Sequence, residues 1–279
     1  DLERNRHIAT FAPNCGKVQA ITFSPDGKLI AAGCYGNVSF YDWQSKTPRS
    51  DLKSLNGYVF SLAFLGNSEK AIGMIHGGSS YSIFVAPAPA SPPLISQPPN
   101  ADRNIFYVGN SVLGVAHAPN GRMTAVASRD GGTMLFDPGT GKRLRAFSRP
   151  GHDAYAVGFT PDSEILITGE SDYKIVVRDI GSGQIKSLLT GHKVRPVGLA
   201  VSSNGSRLAS GDHDGHLMVW DLQSGATTPL ASVKAHGKSV FAVAISPKSR
   251  IIATSGAEEY QSGKGHVGHS IKLWAMPGP

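Results

Sequence analysis

Gly191-His192 opens the stretch that decides the fold. It is followed by Val194-Arg195-Pro196-Val197-Gly198-Leu199, a turn at Asn204-Gly205, a second run ending Leu208-Ala209-Ser210-Gly211, Asp214, and finally Leu217-Met218-Val219-Trp220-Asp221. Short apolar runs separated by Gly, Asn and Asp read as antiparallel strands joined by tight turns. The same phrase returns along the chain at a spacing of about forty residues, the mark of a repeat architecture in which each unit buries its apolar face against its neighbours.

Six first strands can be aligned on this phrase. They begin at Val18, Val59, Val112, Ala154, Val194 and Val240. Most run into a turn signal, Asp26-Gly27, Gly66-Asn67, Asn120-Gly121, Pro161-Asp162, Asn204-Gly205 or Pro247-Lys248, where Pro presets φ and Asn, Asp or Gly tolerate the bend. Second apolar runs follow, such as Leu29-Ile30-Ala31-Ala32, Ile165-Leu166-Ile167-Thr168 and Ile251-Ile252-Ala253-Thr254. Third strands end in Tyr41-Asp42, Phe136-Asp137, Arg178-Asp179, Trp220-Asp221 and Trp274-Ala275, so the Trp-Asp pair is intact once and altered elsewhere.

On these motifs the chain resembles the WD40-repeat family. The resemblance implies an all-β propeller that forms a single domain over residues 1–279, with six four-stranded blades and seven as the alternative. The last unit stops after its third strand, whereas His7-Ile8-Ala9-Thr10-Phe11 precedes the first unit as an orphan strand. Pairing that N-terminal strand with the last blade would close the ring and satisfy exposed edge groups. The family pattern also implies a structural relay of His192, Ser210, Asp214 and Trp220, in which each buried polar group satisfies the next. Its Ser, His and Asp are expected to serve the sheet and not a nucleophilic reaction. The preceding unit keeps His152, Thr168 and Asp172 but has Arg178 in the Trp place, so a weaker blade is expected there.

Composition fits this reading. Thirty-three Gly and 18 Pro among 279 residues suit a turn-rich sheet protein. No apolar stretch is long enough to span a bilayer, so a soluble chain is expected, with an intracellular location favoured. The chain opens at Asp1 without Met, which admits a piece of a longer protein. Cys15 and Cys34 both fall in the first unit and could be bridged; two reduced thiols are the preferred expectation. Ala86-Pro87-Ala88-Pro89-Ala90-Ser91-Pro92-Pro93 reads as a stiff connector leading to an irregular outer strand near Leu94-Ile95-Ser96, with a proline-rich recognition segment as the alternative.

Because a propeller hosts many activities, function has to be argued from its surface. In the family, the narrow face around the channel is the usual partner site, formed by residues flanking each first strand's opening position and by the residue before the turn Asp. Carried over, the flanking positions are Lys17 and Gln19, Tyr58 and Phe60, Ser111 and Leu113, Asp153 and Tyr155, Lys193 and Arg195, and Ser239 and Phe241. The turn positions are Cys34, Arg129, Ser171 and His213. Leu113 and Phe60 are expected to plug the channel. The rest form an aromatic and basic rim, and Tyr, Phe and Arg are the residues in which binding energy concentrates.

A net charge of +7 favours a partner of opposite sign, so an acidic or aromatic-anchored peptide of another protein is the expected ligand. Nucleic acid is the less favoured partner, since Lys and Arg are dispersed without a basic run or interleaved aromatics. A glycine-rich insertion, Gly256 to His269, is expected to be a mobile partner-clasping loop. Its His266 and His269, with Glu258 or Glu259, lack a closed ligand set, so no metal or cofactor is expected. The expected function is a non-enzymatic interaction scaffold, as one subunit of a larger complex; the alternatives are a regulatory propeller of a multidomain protein and a propeller enzyme, the last weakened by the lack of paired carboxylates or a phosphate-cradling loop.

Overall fold

The computed structural model describes residues 9–11, 17–24, 26–64, 70–77, 80–87, 112–129, 132–137, 142–248, 250–261 and 265–277. The strands in chain order are β1 (Thr10–Phe11), β2 (Ala20–Phe23), β3 (Leu29–Gly33), β4 (Tyr35–Asp42), β5 (Thr47–Phe64), β6 (Lys70–Gly77) and β7 (Ser80–Pro87). They continue with β8 (Val112–His117), β9 (Thr124–Ser128), β10 (Gly132–Phe136), β11 (Arg143–Phe147), β12 (Ala154–Phe159), β13 (Ile165–Glu170), β14 (Ile175–Asp179) and β15 (Ile185–Leu189). The remainder are β16 (Pro196–Val201), β17 (Arg207–Asp212), β18 (His216–Asp221), β19 (Ala231–Lys234), β20 (Val240–Ile245), β21 (Ile251–Gln261) and β22 (Gly265–Ala275). There is no helix among the described residues.

These strands form a propeller of five sheets, which corrects the expectation of six four-stranded blades and of seven. Four sheets have four strands: β8 to β11, β12 to β15, β16 to β19, and β20 to β22 with β1. The fifth runs β2 to β7 without a break. The cause is β5, an eighteen-residue strand whose first half pairs with β4, as in Asp42↔Thr47, and whose second half pairs with β6, as in Phe64↔Ala71. Asn56-Gly57 stands there in place of the Gly-His break, and Gly57 at φ 134° lets the strand swing from one neighbour to the other. Strands β2, β5, β8, β12, β16 and β20 pack in turn around the ring, and β20 returns to β2.

The N-terminal strand closes the ring. Thr10 pairs with Lys272 and Phe11 with Ile271, covering the edge of β22. Apolar cores lie between neighbouring blades. Ile21, Phe23 and Ile30 pack with Ile271 and Leu273 across the closure, while Ile167, Ile175 and Leu208 pack with Trp220 between the β12 and β16 blades. Cys34, fully buried in the closing core, is disulfide-bonded, contrary to the preferred expectation of reduced thiols; Cys15 lies outside the described residues. The described part of the proline-rich stretch ends with Pro87 in β7, and the expected strand near Leu94 lies outside the described residues.

Turns recur in one chemistry. Gly27, Gly121, Ser163 and Gly205 take φ between 63° and 72°. In each the preceding Asp or Asn accepts a backbone N–H two residues on, at 2.9 to 3.1 Å. This is the local turn mimicry that makes Asx residues turn formers.

Two relays tie blades together internally. In the β16 blade, Trp220 Nε1–H donates to Ser210 Oγ at 2.8 Å, and the hydroxyl lies 2.6 Å from His192 Nε2. His192 Nδ1 lies 2.8 Å from Asp212 Oδ2. The relay therefore ends on Asp212, which corrects the expectation of Asp214. Alternate residues of a strand face the same side, so Ser210 and Asp212 both meet the imidazole, whereas Asp214 sits in the turn past the strand end and is exposed. The β20 blade carries a second relay the family spacing did not reveal: Trp274 Nε1 to Thr254 Oγ1 at 3.0 Å, Thr254 to His236 Nε2 at 2.9 Å, and His236 Nδ1 to Glu258 at 2.9 Å. Gly256 makes it possible, because an added Cβ would collide with the His236 ring.

In the β12 blade, Thr168 donates to Glu170 at 3.0 Å, and Arg149 bridges Glu170 and Asp172 at 2.6 and 3.0 Å. Arg178 leaves the relay and lies over the Phe147 ring. The insertion also differs from expectation. Residues 256–261 pair with 265–270 as a ribbon continuing β21 and β22, with Tyr260 opposite His266.

Burial presses the His236 pKa down to about 4 despite its carboxylate partner. Burial opposes ionisation of Glu258, but hydrogen bonds from Lys272, Ser270 and His236 outweigh it and hold the carboxyl at about 2. An unfolded histidine takes its proton near 6.5 and the folded one only near 4, so acidification between these values favours the unfolded chain. Thermal unfolding followed by circular dichroism is expected to show a Tm falling between pH 7 and pH 5, with a shallower slope in His236→Gln. Ser210→Ala orphans the buried Trp220 N–H and is expected to cost about 2–3 kcal/mol in denaturant titration, whereas Asp214→Ala should stay within about 0.5 kcal/mol.

Candidate functional site

The starts of the first strands and the turns joining second to third strands gather at one rim of the ring. Its best-defined arc belongs to the β12 and β16 blades. Arg195 is exposed, and its guanidinium lies 4.9 Å from the Tyr155 ring centroid. Tyr155 is only 8% exposed, so it is a platform and not a free contact. Its hydroxyl reaches Asp153 Oδ2 at 3.4 Å. Asp153 is fixed in turn by Ser171, whose N–H donates to the Asp153 carbonyl at 3.0 Å and whose Oγ accepts from the Asp153 N–H at 3.2 Å.

The Arg195 carbonyl accepts the His213 N–H at 3.2 Å, holding the next turn in register. His213 also shares 3.0 and 3.2 Å hydrogen bonds with buried Ser239. Lys193 is exposed beside Arg195. His192, which precedes Lys193 in this loop, is held on both ring nitrogens by Asp212 and Ser210.

A second arc joins the last and first blades. Lys17 Nζ sits 4.2 Å over the Phe241 ring, and burial lowers its pKa. The His269 ring lies 6.0 Å from the Phe241 ring, tilted by 45°. Gln19 is tied by its N–H to the Gly33 carbonyl at 2.9 Å. A third cluster is Tyr58 with Tyr35, edge to face at 4.8 Å, the rings 39% and 60% exposed. Arg129 is exposed on the β8 blade and Leu113 is half-buried.

Cys34 is buried in the core, so it is not a surface contact as the family position implied. Ser111 and the Phe60 side chain lie outside the described residues. Sequence reasoning missed two exposed rim aromatics, Tyr35 as a contact and Tyr173 altogether. A tyrosine in a turn position where sister blades have glycine was the signal available for Tyr173.

Charge is distributed unequally. Away from the rim, Arg49, Arg207 and Lys186 pair with Asp42, Asp221 and Asp179 at 3.1, 2.8 and 3.1 Å. No ion pair among the described residues engages Lys17, Arg129, Lys193 or Arg195. Glu258, offered from sequence as a metal ligand, is committed to His236, Ser270 and Lys272 at 2.9, 2.7 and 2.9 Å. Among the described residues no group of His, Cys, Asp and Glu is arranged to hold a metal ion. Nor is any helix long and apolar enough to cross a membrane.

Residues 5–42, 183–221 and 227–274 match the family described as WD domain, G-beta repeat. The chain is 32% identical over 170 residues to WD repeat-containing protein srw1 of Schizosaccharomyces pombe, covering 61% of this chain and 29% of that protein. It is 31% identical to the B-type cell cycle switch protein ccs52A of Medicago truncatula, over 60% of this chain and 33% of the relative. It is 25% identical to the U3 small nucleolar RNA-associated protein 15 homolog of Gallus gallus, over 88% and 45%. The chain thus spans less than half the length of each of these relatives. Repeat motifs, a closed ring of blades and these matches agree, and the chain belongs to the WD40-repeat family.

Proposed function

We propose that this chain is a non-enzymatic interaction module that receives an acidic segment of a partner protein on its narrow face, as one subunit of a larger assembly. The observation that carries the reading is Arg195, a guanidinium 4.9 Å over the ring centroid of a buried tyrosine, exposed to solvent and engaged by no carboxylate among the described residues. Stacking removes much of the rotamer freedom an arginine would otherwise lose on binding, and a cation over an aromatic face is favourable by about 0.5–1 kcal/mol. An incoming carboxylate therefore meets a donor fork already oriented, with Lys193 beside it.

The +7 net charge supports encounter with an acidic surface, and the names of the relatives, a cell cycle switch protein and a small nucleolar RNA-associated protein, fit a module that works within assemblies. Lys17, Gln19, Tyr58, Phe60, Arg129, Asp153, Tyr155, Lys193, Arg195, His213 and Phe241 remain the proposed contact set, with Tyr155 and Asp153 acting beneath Arg195. A regulatory propeller of a longer protein is compatible with the same face, and an enzyme or nucleic-acid binder is not favoured.

Because Tyr155 is buried, Tyr155→Ala would confound binding with folding, and Arg195→Glu is the cleaner variant. In affinity capture from native extract, with the captured partner then purified and titrated, Arg195→Glu is expected to weaken binding by about thirtyfold or more at unchanged Tm. Parent affinity should fall as salt rises. Equal capture and equal affinity of parent and variant would refute the narrow-face reading.

A further inference from the structure

The turn Ser171-Asp172-Tyr173-Lys174 connects β13 to β14, and Tyr173 takes φ 68°, in the left-handed region. The sister turn of the β16 blade uses glycine at this place, Gly215 at φ 86°, and the β8 blade has Gly131 there in sequence. Glycine is forced there by crowding. An added Cβ at Gly215 would collide with the carbonyls of His236 and Lys238. The loop entering the next blade lies directly on the Gly215 turn, with Ala235 and His236 N–H groups both donating to the Gly215 carbonyl at 2.8 and 3.1 Å.

The corresponding loop ahead of β16 is held differently. Thr190 N–H donates to the Thr227 carbonyl at 2.7 Å, within its own blade. Tyr173 consequently stands 44% exposed. A bulky residue at positive φ is strained, and an exposed ring recovers little by burial. Glycine would remove both costs, so neither the turn nor the core accounts for a tyrosine here.

The neighbourhood points to a ligand. Ser171, two residues before Tyr173, is hydrogen-bonded in both directions to Asp153 at 3.0 and 3.2 Å. Asp153 in turn accepts from Tyr155, the platform of Arg195. Charges in the turn are already satisfied, since Asp172 is paired with Arg149 at 3.0 Å and Lys174 at 3.3 Å. The turn thus offers a ring, and the loop ahead of β16 offers the Arg195 guanidinium, which has no ion-pair partner among the described residues.

We infer that Tyr173 is an apolar anchor of the narrow face: the partner segment that places a carboxylate on Arg195 lays an aliphatic or aromatic side chain on Tyr173. This rests on the narrow-face reading above and specifies its ligand as acidic and apolar together, which a plain polyanion does not satisfy.

Fluorescence anisotropy with two fluorescein-labelled peptides separates the possibilities. One contains only Glu and Gly, and the other carries the same Glu residues flanked by Leu. The parent is expected to bind the Leu-bearing peptide about tenfold more tightly, a gain matching burial of part of a leucine side chain. Tyr173→Gly should lose that preference while its Tm rises by about 2–4 °C, because strain is relieved. Retention of the preference by Tyr173→Gly would overturn the anchor and leave the narrow face intact. A lowered Tm would overturn the strain argument. If Arg195→Glu binds both peptides as the parent does, or if the parent binds neither, the narrow-face reading falls with it.

Discussion

The hydroxyl of Ser210 receives the Trp220 N–H and faces His192, and the rest of the β16 blade depends on that meeting. With its second nitrogen on Asp212, His192 has no freedom left to rotate. The loop that begins at Gly191 is pinned at its second residue, and Lys193 and Arg195 follow within three positions. A buried polar relay of this kind contributes only modestly to net stability, but each member costs heavily if its partner is removed. Its effect on function is positional: the cation that defines the rim is placed by an imidazole in the core.

The same problem is solved with different chemistry around the ring. Thr254, His236, Trp274 and Glu258 repeat the relay in the β20 blade, where the acid sits four residues after the hydroxyl because Gly256 leaves its place to the imidazole. The β12 blade substitutes Arg149 between Glu170 and Asp172. Further round, blades merge through β5 instead of being stapled separately. Repeats stack by nearest-neighbour packing, so each blade can drift in its internal polar network provided the apolar cores between blades and the closing β1–β22 pair persist.

The propeller was legible because turns and strand alternation act locally, and because the Gly191 to Asp221 phrase retained every polar member of the relay. The number of sheets was not, since whether β5 breaks at Asn56-Gly57 depends on pairing to β4 and β6, which lie far apart in sequence. Family spacing points to Asp214, although alternation along β17 from Ser210 indicates Asp212. The second relay went unread because Ala235 replaces the usual glycine before His236 and Glu258 lies outside the usual spacing. At the rim, residue types identified Arg195 and Lys193, but only three-dimensional stacking revealed that Tyr155 is a buried support, and only the backbone angle distinguished Tyr173 from an ordinary turn residue.

Arg195 and Lys17 rest on the rings of Tyr155 and Phe241, and no ion pair among the described residues engages them from above. The most direct test is to place the photo-crosslinking residue p-benzoylphenylalanine at position 193, on this rim, or at position 186, at the opposite end of the β12 blade, and to irradiate the protein in its native extract. The account predicts a discrete crosslinked partner from position 193 and none from position 186. A partner captured only from position 186 would contradict it and move the interaction surface to the other face of the ring.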